Sequence, residues 1–359
     1  MLRITTDLTA NTVRIQAPTI TQFAVNISKL VWLDVEDFSH PRTVVLLPLG
    51  RWREAVAGVP LMHFPRNAAL LATKIDRLPM ITRRETIRLQ PLGIGIHGEE
   101  LPARVFLVGA IEYAVAQAFL KMGFTIMRIR GANSFETAAE IAREITRYMP
   151  NPPTMLVPYY DPVDSQPVVA LSAHSGAPIL FINMSSLPKE TSKALKDIKP
   201  SAVYIMGRDS QISTSLITEV QSLLPGTRLI RVGGQTITDY SINLARFMDP
   251  INYFGWGRNE KSGDIFTFVA SGNIYQSIFS ATLAHIATHA PELIIPSEHP
   301  ISDNLRDYLI SVNPSLSQPT RPPFMRGLII GNRKDISVQK QIELESLLIK
   351  ELGDWPPPG

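Results

Sequence analysis

The feature that most constrains this 359-residue chain is an internal repeat. Arg14 opens RIQAPTITQFAVNIS and Arg231 opens RVGGQTITDYSINLA, and five of these fifteen positions are identical. Arg128 opens RIRGANSFETAAEIA, which has the same shape. Each opening is followed by the same succession. A short apolar strand comes first: VVLLP from Val44, TMLVP from Thr154, IFTFVA from Ile265. An apolar helix then leads to a second strand: ALLAT from Ala69, PILFI from Pro178, ELIIP from Glu292. A polar helix precedes a third strand closed by Gly109, Gly207 or Gly331, and a last amphipathic helix completes the unit.

Continuous apolar runs bounded by Gly and Pro, alternating with helical patterns, indicate parallel strands covered on both faces. The pattern predicts an α/β protein of three tandem parallel-sheet modules packed as a pseudo-threefold unit. The repeat divides the chain into 1–126, with a short N-terminal extension, then 127–229, then 230–359 with a proline-rich tail. Residues 83–102 read as an insertion in the first unit, and 311–324 as a proline-rich loop in the third. The helices before the second strands (AVAGVPLM, VVALSA, IFSATLAHIA) are apolar on more than one face. A module of this size cannot bury them alone, so they are expected to meet at a shared axis.

Composition narrows the function. Hydrophobic residues make up 45% and charged residues 19%, enough apolar material for packed cores. The net charge of +3 is too small for a chain built as a polycation, so no nucleic-acid partner is expected. There are no cysteines, which excludes disulfides, thiolate metal sites and a thiol nucleophile. The uncharged stretches 165–188 and 265–291 are broken by Ser, Thr, His, Gly or Pro and read as buried strand-plus-helix units, not membrane spans. The start, MLRITTDLTANTVRIQ, lacks the pattern of a secretion signal. A chain that stays inside the cell and one already processed both fit.

The middle opening resembles cell wall-binding repeat 2 modules, whose pattern reads R-I-x-G-x-[DN]-R-[YF]-E-T-A. Arg128, Gly131, Asn133, Phe135, Glu136 and Thr137 match it, with Ser134 in place of the second Arg. GAPILF at 176–181 matches the family's P-I-L-L strand, and Asp164 lies seven residues before Leu171 as the family aspartate does. Glu54 and Gln276 hold that place in the other units, whose openings have lost the Gly-x-Asn-x-aromatic-Glu pattern. The resemblance covers about Arg14 to Leu352. It implies three modules around a pseudo-threefold axis, a cell-surface location, and binding of an anionic polymer of Gram-positive walls without catalysis.

Other motifs weigh little. Gly93, Gly95 and Gly98 spell G-x-G-x-x-G, but no strand feeds them and no helix opens on them, so they read as loop. His285 and His289 have metal-ligand spacing, but no clear third ligand; Glu292 and His299 would have to fold into place. His63 and His285 share a repeat position and His174 is displaced by one, so an axis could bring them together. No nucleophile elbow or P-loop is present, and neither metal nor cofactor is expected. Ligands of open α/β sheets bind beyond the carboxyl ends of strands. Arg51, Arg53, Arg208, Arg333 and Lys334 stand there, and they are the candidate contacts for a polyanion. Self-association or a partner surface protein is a further expectation. An intracellular scaffold, and an enzyme or small-ligand binder with one modified module, stay open as alternatives.

Overall fold

The computed structural model describes residues 11–33, 40–258, 265–298, 300–312 and 325–348. His299, the tail 353–359 and most of the 311–324 loop lie outside the described residues. The chain begins with β1 (Thr12–Ile15) and α1 (Ile20–Val31). The first unit follows as β2 (Val44–Pro48), α2 (Trp52–Gly58), β3 (Ala69–Thr73), α3 (Met80–Leu89), β4 (Val105–Val108), α4 (Tyr113–Leu120) and β5 (Ile126–Ile129). The second runs α5 (Ser134–Thr146), β6 (Thr154–Pro158), α6 (Pro162–Ser175), β7 (Ile179–Ile182), α7 (Lys189–Ile198), β8 (Ala202–Met206), α8 (Thr214–Leu223) and β9 (Arg228–Val232). The third begins with α9 (Ile237–Arg246) and a short hairpin, β10 (Met248–Asp249) and β11 (Phe254–Gly255). It continues with β12 (Ile265–Ala270), α10 (Ile274–Ile286), β13 (Glu292–Ile295), α11 (Asp303–Ser311), β14 (Arg326–Ile330) and α12 (Val338–Leu348).

Three four-stranded parallel sheets result, in the orders β3-β2-β4-β5, β7-β6-β8-β9 and β13-β12-β14-β1. The repeat arginines lie in strands, β1, β5 and β9, which the sequence pattern did not separate from the openings. Arg14 stands opposite Ile329, Arg128 opposite Leu107 and Arg231 opposite Ile205. Each partner lies two residues before the closing glycine of its strand, so the three arginine segments are in register. Helix α3 takes up the first part of the 83–102 segment, at the place α7 and α11 hold in the other units.

Sheet membership does not follow the linear stretches 1–126, 127–229 and 230–359. Strands β5 and β9 straddle the two divisions and pair with the sheets that precede them. The third sheet takes its fourth strand from the other end of the chain, because no strand follows α12 among the described residues and β1 fills that edge. The arginines explain the attachment. Arg231 donates to the carbonyls of Ile205 and Gly207, and Arg14 to those of Gly331 and Asn332. Arg14 is fully buried, and its Nε donates to Gln341 at 3.0 Å. Thr12 bonds Glu345 at 2.7 Å, which ties the N-terminal strand to the last helix.

The largest apolar core joins residues of all three units. Helices α2, α6 and α10 meet along the axis as their sequences required; α6 is buried from Asp164 to Ala173 and α10 over most of its length. A ring of hydrogen bonds closes over their N-terminal ends. Arg53 Nε donates to Tyr159 O at 2.7 Å, from the first unit to the second. Gln166 Nε2 donates to Ala270 O at 3.1 Å, from the second to the third. Tyr275 Oη donates to Pro48 O at 3.3 Å, from the third back to the first. The buried Arg66–Glu144 pair, 2.6 Å apart, adds a link between the first two units. The 165–188 and 265–291 stretches form helix-and-strand units here, and no helix among the described residues is long and apolar enough to cross a membrane.

Leu171 is completely buried where α6 meets its neighbours. Leu171→Asp would leave an uncompensated charge there, at a cost of about 3–5 kcal/mol. Chemical denaturation is expected to show one cooperative transition in the wild type, moved as a whole by the substitution. A transition that splits, with two units melting as before, would mean that the units fold independently.

Candidate functional site

The ring above marks one end of the axis, and the carboxyl ends of all three sheets open toward it. Its most repeated feature lies at the third residue of each axial helix. Glu54 accepts the Ala110 N–H at 2.8 Å, and Asp164 accepts the Arg208 N–H at 2.8 Å. In the third unit Asp335 accepts the Asn332 N–H at 2.9 Å, and Gln276 donates to Asp335 at 3.2 Å. All three acceptor groups thus hold the backbone just after the glycine that closes the third strand. Gly109 shows why glycine is needed: φ is +69°, and a Cβ would lie 2.0 Å from Glu54 Oε2. The family-type aspartate position is therefore a loop clamp.

The matching residues of the middle opening build a helix start. Asn133 caps α5 by accepting the Glu136 N–H at 2.9 Å. Glu136 accepts the Ala132 N–H at 2.7 Å, and Thr137 Oγ1 accepts the Gly131 N–H at 3.0 Å. Phe135 stacks on Tyr159 with ring centroids 4.2 Å apart. Arg128 donates to Ile111 O at 2.6 Å.

The five candidate cations occupy the same end but in different states. Arg51 and Arg53 follow β2, the first strand of its unit, whereas Arg208, Arg333 and Lys334 follow third strands. The two groups are neighbours in their sheets but not repeat equivalents. Arg208 is bound by Asp164 at 2.9–3.0 Å and also by Asp161. Those bonds, Asp164's first, hold its pKa above the ordinary guanidinium value. Two carboxylates against one guanidinium leave that loop negative. Arg53 lies half-buried between the rings of Trp52 and Tyr159, 4.4 and 3.9 Å from their centroids. Arg51, Arg333 and Lys334 are exposed. Sequence reasoning missed the aromatic group Trp52, Phe135, Tyr159 and Tyr160, of which Tyr160 is 59% exposed. The doublet Tyr159-Tyr160 directly after a strand was its signal.

The other end of the axis gathers histidines. The rings of His63 and His285 lie 4.7 Å apart, and His285 Nε2 meets Asn67 Oδ1 at 3.1 Å. His174 and His289 approach through their Nδ1 atoms at 3.3 Å, and His174 stacks on Trp256. Helix α10 ends at Ile286, so His289 lies beyond the helix and the His285–His289 spacing is not a helical i, i+4 pair. Among the described residues no group of three or more His, Asp or Glu side chains is placed to hold a metal ion.

The middle opening carries the similarity to a known class of cell-wall-binding module. Residues 128–217 match the model of the family Cell wall binding domain 2 (CWB2). The match falls on the middle unit, whose opening carries the family pattern. The chain is 25% identical over 329 residues to N-acetylmuramoyl-L-alanine amidase LytC of Bacillus subtilis (strain 168), covering 91% of this chain and 57% of LytC. It is 25% identical over 182 residues to the amidase enhancer of the same strain, covering 50% of this chain and 22% of that protein. It therefore spans little more than half the length of the first and about a fifth of the second. Cwp6 from Clostridium difficile has the same fold, with a TM-score of 0.75 at 21% identity over 99% of this chain and 50% of Cwp6. Cwp8 from the same organism superposes with a TM-score of 0.70 at 18% identity, over 95% of this chain and 52% of Cwp8.

Burial, and then the neighbouring imidazoles, lower the pKa of His63 to about 4 and that of His285 to about 3. Burial, then His289 and Arg258, lower His174 to about 4. The unfolded chain, with histidines near 6.5, takes up these protons first. Stability is therefore full above about pH 6.5 and is lost as pH falls through 6 toward 4. Denaturation midpoints followed from pH 7.5 to 4.5 are expected to fall in the wild type. His285→Gln is expected to flatten that fall by on the order of 2 kcal/mol. Parallel curves would show that carboxylates alone set the acid limit.

Proposed function

We propose that the protein is a non-catalytic cell-surface protein that binds an anionic cell-wall glycopolymer through the strand-end rim of its axis. The observation that carries this reading is the CWB2 match, on the one unit whose opening keeps the family pattern. The three-unit fold shared with Cwp6 and Cwp8 supports it at the level of architecture. LytC is named as an amidase and the second relative as an amidase enhancer, and each extends well beyond the part this chain matches. Wall attachment at the cell exterior is the property we carry over.

In this reading Arg51, Arg53, Arg333 and Lys334 contact the polymer, and Arg208 shapes its loop through Asp161 and Asp164. Contacts from separate units to one chain act together, because the second forms intramolecularly once the first has formed. Binding to protein-free wall sacculi is expected to fall as salt rises from 0.05 to 0.5 M, roughly with the number of charges engaged. The combined Arg51→Gln, Arg53→Gln, Arg333→Gln and Lys334→Gln variant is expected to lose at least about tenfold in retention, or about 1.4 kcal/mol. Retention that ignores both salt and the substitutions would remove the polyanion reading.

Self-association is the second reading, favoured by the β10–β11 hairpin. Its tip exposes Ile251 (67%) and Tyr253 (88%). Its base is fixed by Asp249, which accepts from Tyr204 at 2.7 Å and from Arg228 at 2.9 Å. Sedimentation velocity is expected to show concentration-dependent association that Ile251→Ser with Tyr253→Ser abolishes. A monomer at all concentrations would leave polymer binding alone.

A further inference from the structure

The three units are not equally closed. Fifteen residues after each repeat arginine stands a cation: Lys29, Arg143 and Arg246. Each faces the helix that follows the second strand, α3, α7 or α11. Aligned on their N-cap residues Pro79, Pro188 and Ser302, these helices bury corresponding positions: Thr82, Thr191 and Leu305, then Leu89, Ile198 and Val312. In the first unit Lys29 lies 4.0 Å from Glu85. In the second Arg143 bonds Asp197 at 2.9 Å and Glu140 at 2.6 Å. In the third, Tyr308 corresponds to Glu85 and Ser311 to Asp197. Arg246 lies over the Tyr308 ring at 4.7 Å, and no carboxylate lies within 4 Å of it among the described residues.

A cleft of about 540 Å³ opens at that point, between the loop after β8, one face of α9 from Asp239 to Arg246 and the first half of α11. Its floor is the Gly233-Gly234 backbone. A Cβ on Gly233 would lie 2.6 Å from Gly207 O, and one on Gly234 2.4 Å from Tyr240 N, so side chains are kept out there. The middle opening has Arg130 at the position of Gly233. Two of the acidic groups in the lining already have partners: Asp209 bonds Arg231 at 3.1 Å, and Asp239 bonds Asn304 at 2.7 Å. Asp307 has neither an ion pair nor a hydrogen bond among the described residues and is exposed. Arg246 on α9 and Asp307 on α11 therefore line one cleft without pairing with each other.

We propose that this cleft is a binding site for a small zwitterion of amino-acid or short-peptide type, its anionic group on Arg246 and its ammonium on Asp307. The cleft volume suits a small molecule. A cation and an anion held apart on different helices match a ligand that carries both charges at separate ends. The reading is independent of polymer binding at the rim, which rests on other residues.

Isothermal titration with diglycine tests it. N-acetylglycylglycine, which lacks the ammonium, and glycylglycinamide, which lacks the carboxylate, serve as the other two probes. A Kd in the millimolar range, tighter than two exposed ion pairs would supply by themselves, is the expected result. Diglycine is expected to bind, and each capped form to bind at least about tenfold more weakly. Arg246→Gln and Asp307→Asn are expected to weaken diglycine by a similar factor with unchanged melting, since both side chains are exposed. Ser311→Asp, which restores the carboxylate that Asp197 offers Arg143, is expected to close the site. Equal binding of capped and uncapped probes, wild-type affinity in the variants, or no heat up to about 50 mM would each overturn the proposal. The comparison of probes on the wild type remains decisive if a variant fails to fold.

Discussion

Burial of three apolar helices around one axis is the constraint on which the rest of the structure depends. Helices α6 and α10 are enclosed over nearly their whole length, and no single sheet can do that. Each must find cover on its neighbours, which fixes the three units as one body. Once the helices are side by side, their N-terminal ends bring the ends of the first strands together. Arg53, Gln166 and Tyr275 then each satisfy a backbone carbonyl of the next unit. Those bonds add direction to an association driven by apolar burial: a carbonyl left without its donor in this packed region costs more than the bond gains.

A second dependence is the exchange of edge strands. The arginine strand is reached only after the last helix of a unit, yet it completes that unit's sheet. For the third sheet the strand comes from residues 12–15, more than three hundred residues earlier in the chain. The third unit is therefore incomplete until the N-terminus returns to it, and the chain is closed into a ring by parallel pairing. Such long-range pairing must overcome loop-closure entropy before it is rewarded. The buried Arg14, bonded to Gln341 and to the carbonyls after β14, makes that closure specific.

Pseudo-symmetry also shows where the chain has departed from itself. The clamp at the strand ends persists with three different donor-acceptor sets, Glu54, Asp164 and Gln276 with Asp335. The geometry is shared although the residues are not, because the backbone N–H after the closing glycine needs an acceptor in every unit. The ion pairs on the outer side are not shared. Two units close there with opposite charges and one does not, and an open polar cleft is the outcome.

Much of this was legible in the sequence. The repeat, the strand-and-helix succession and the multi-faced apolar helices determined the α/β class, the three units and their meeting at an axis. Periodicity reports burial, and burial is what those features record. The arginine strands escaped that reading because they are short edges interrupted by an arginine, half-exposed in β5 and β9 and buried in β1. Their pairing is decided by neighbours far away in the chain. The fate of the cations was also invisible: Arg51 and Arg208 look alike in sequence, yet Arg51 is exposed while Asp161 and Asp164 hold Arg208. The histidines came from positions 63, 174, 285 and 289, whose nearness exists only after three helices have packed. Local pattern determined what each segment had to bury; which charges were left to act was decided by tertiary structure, because pairing depends on distances that only packing sets.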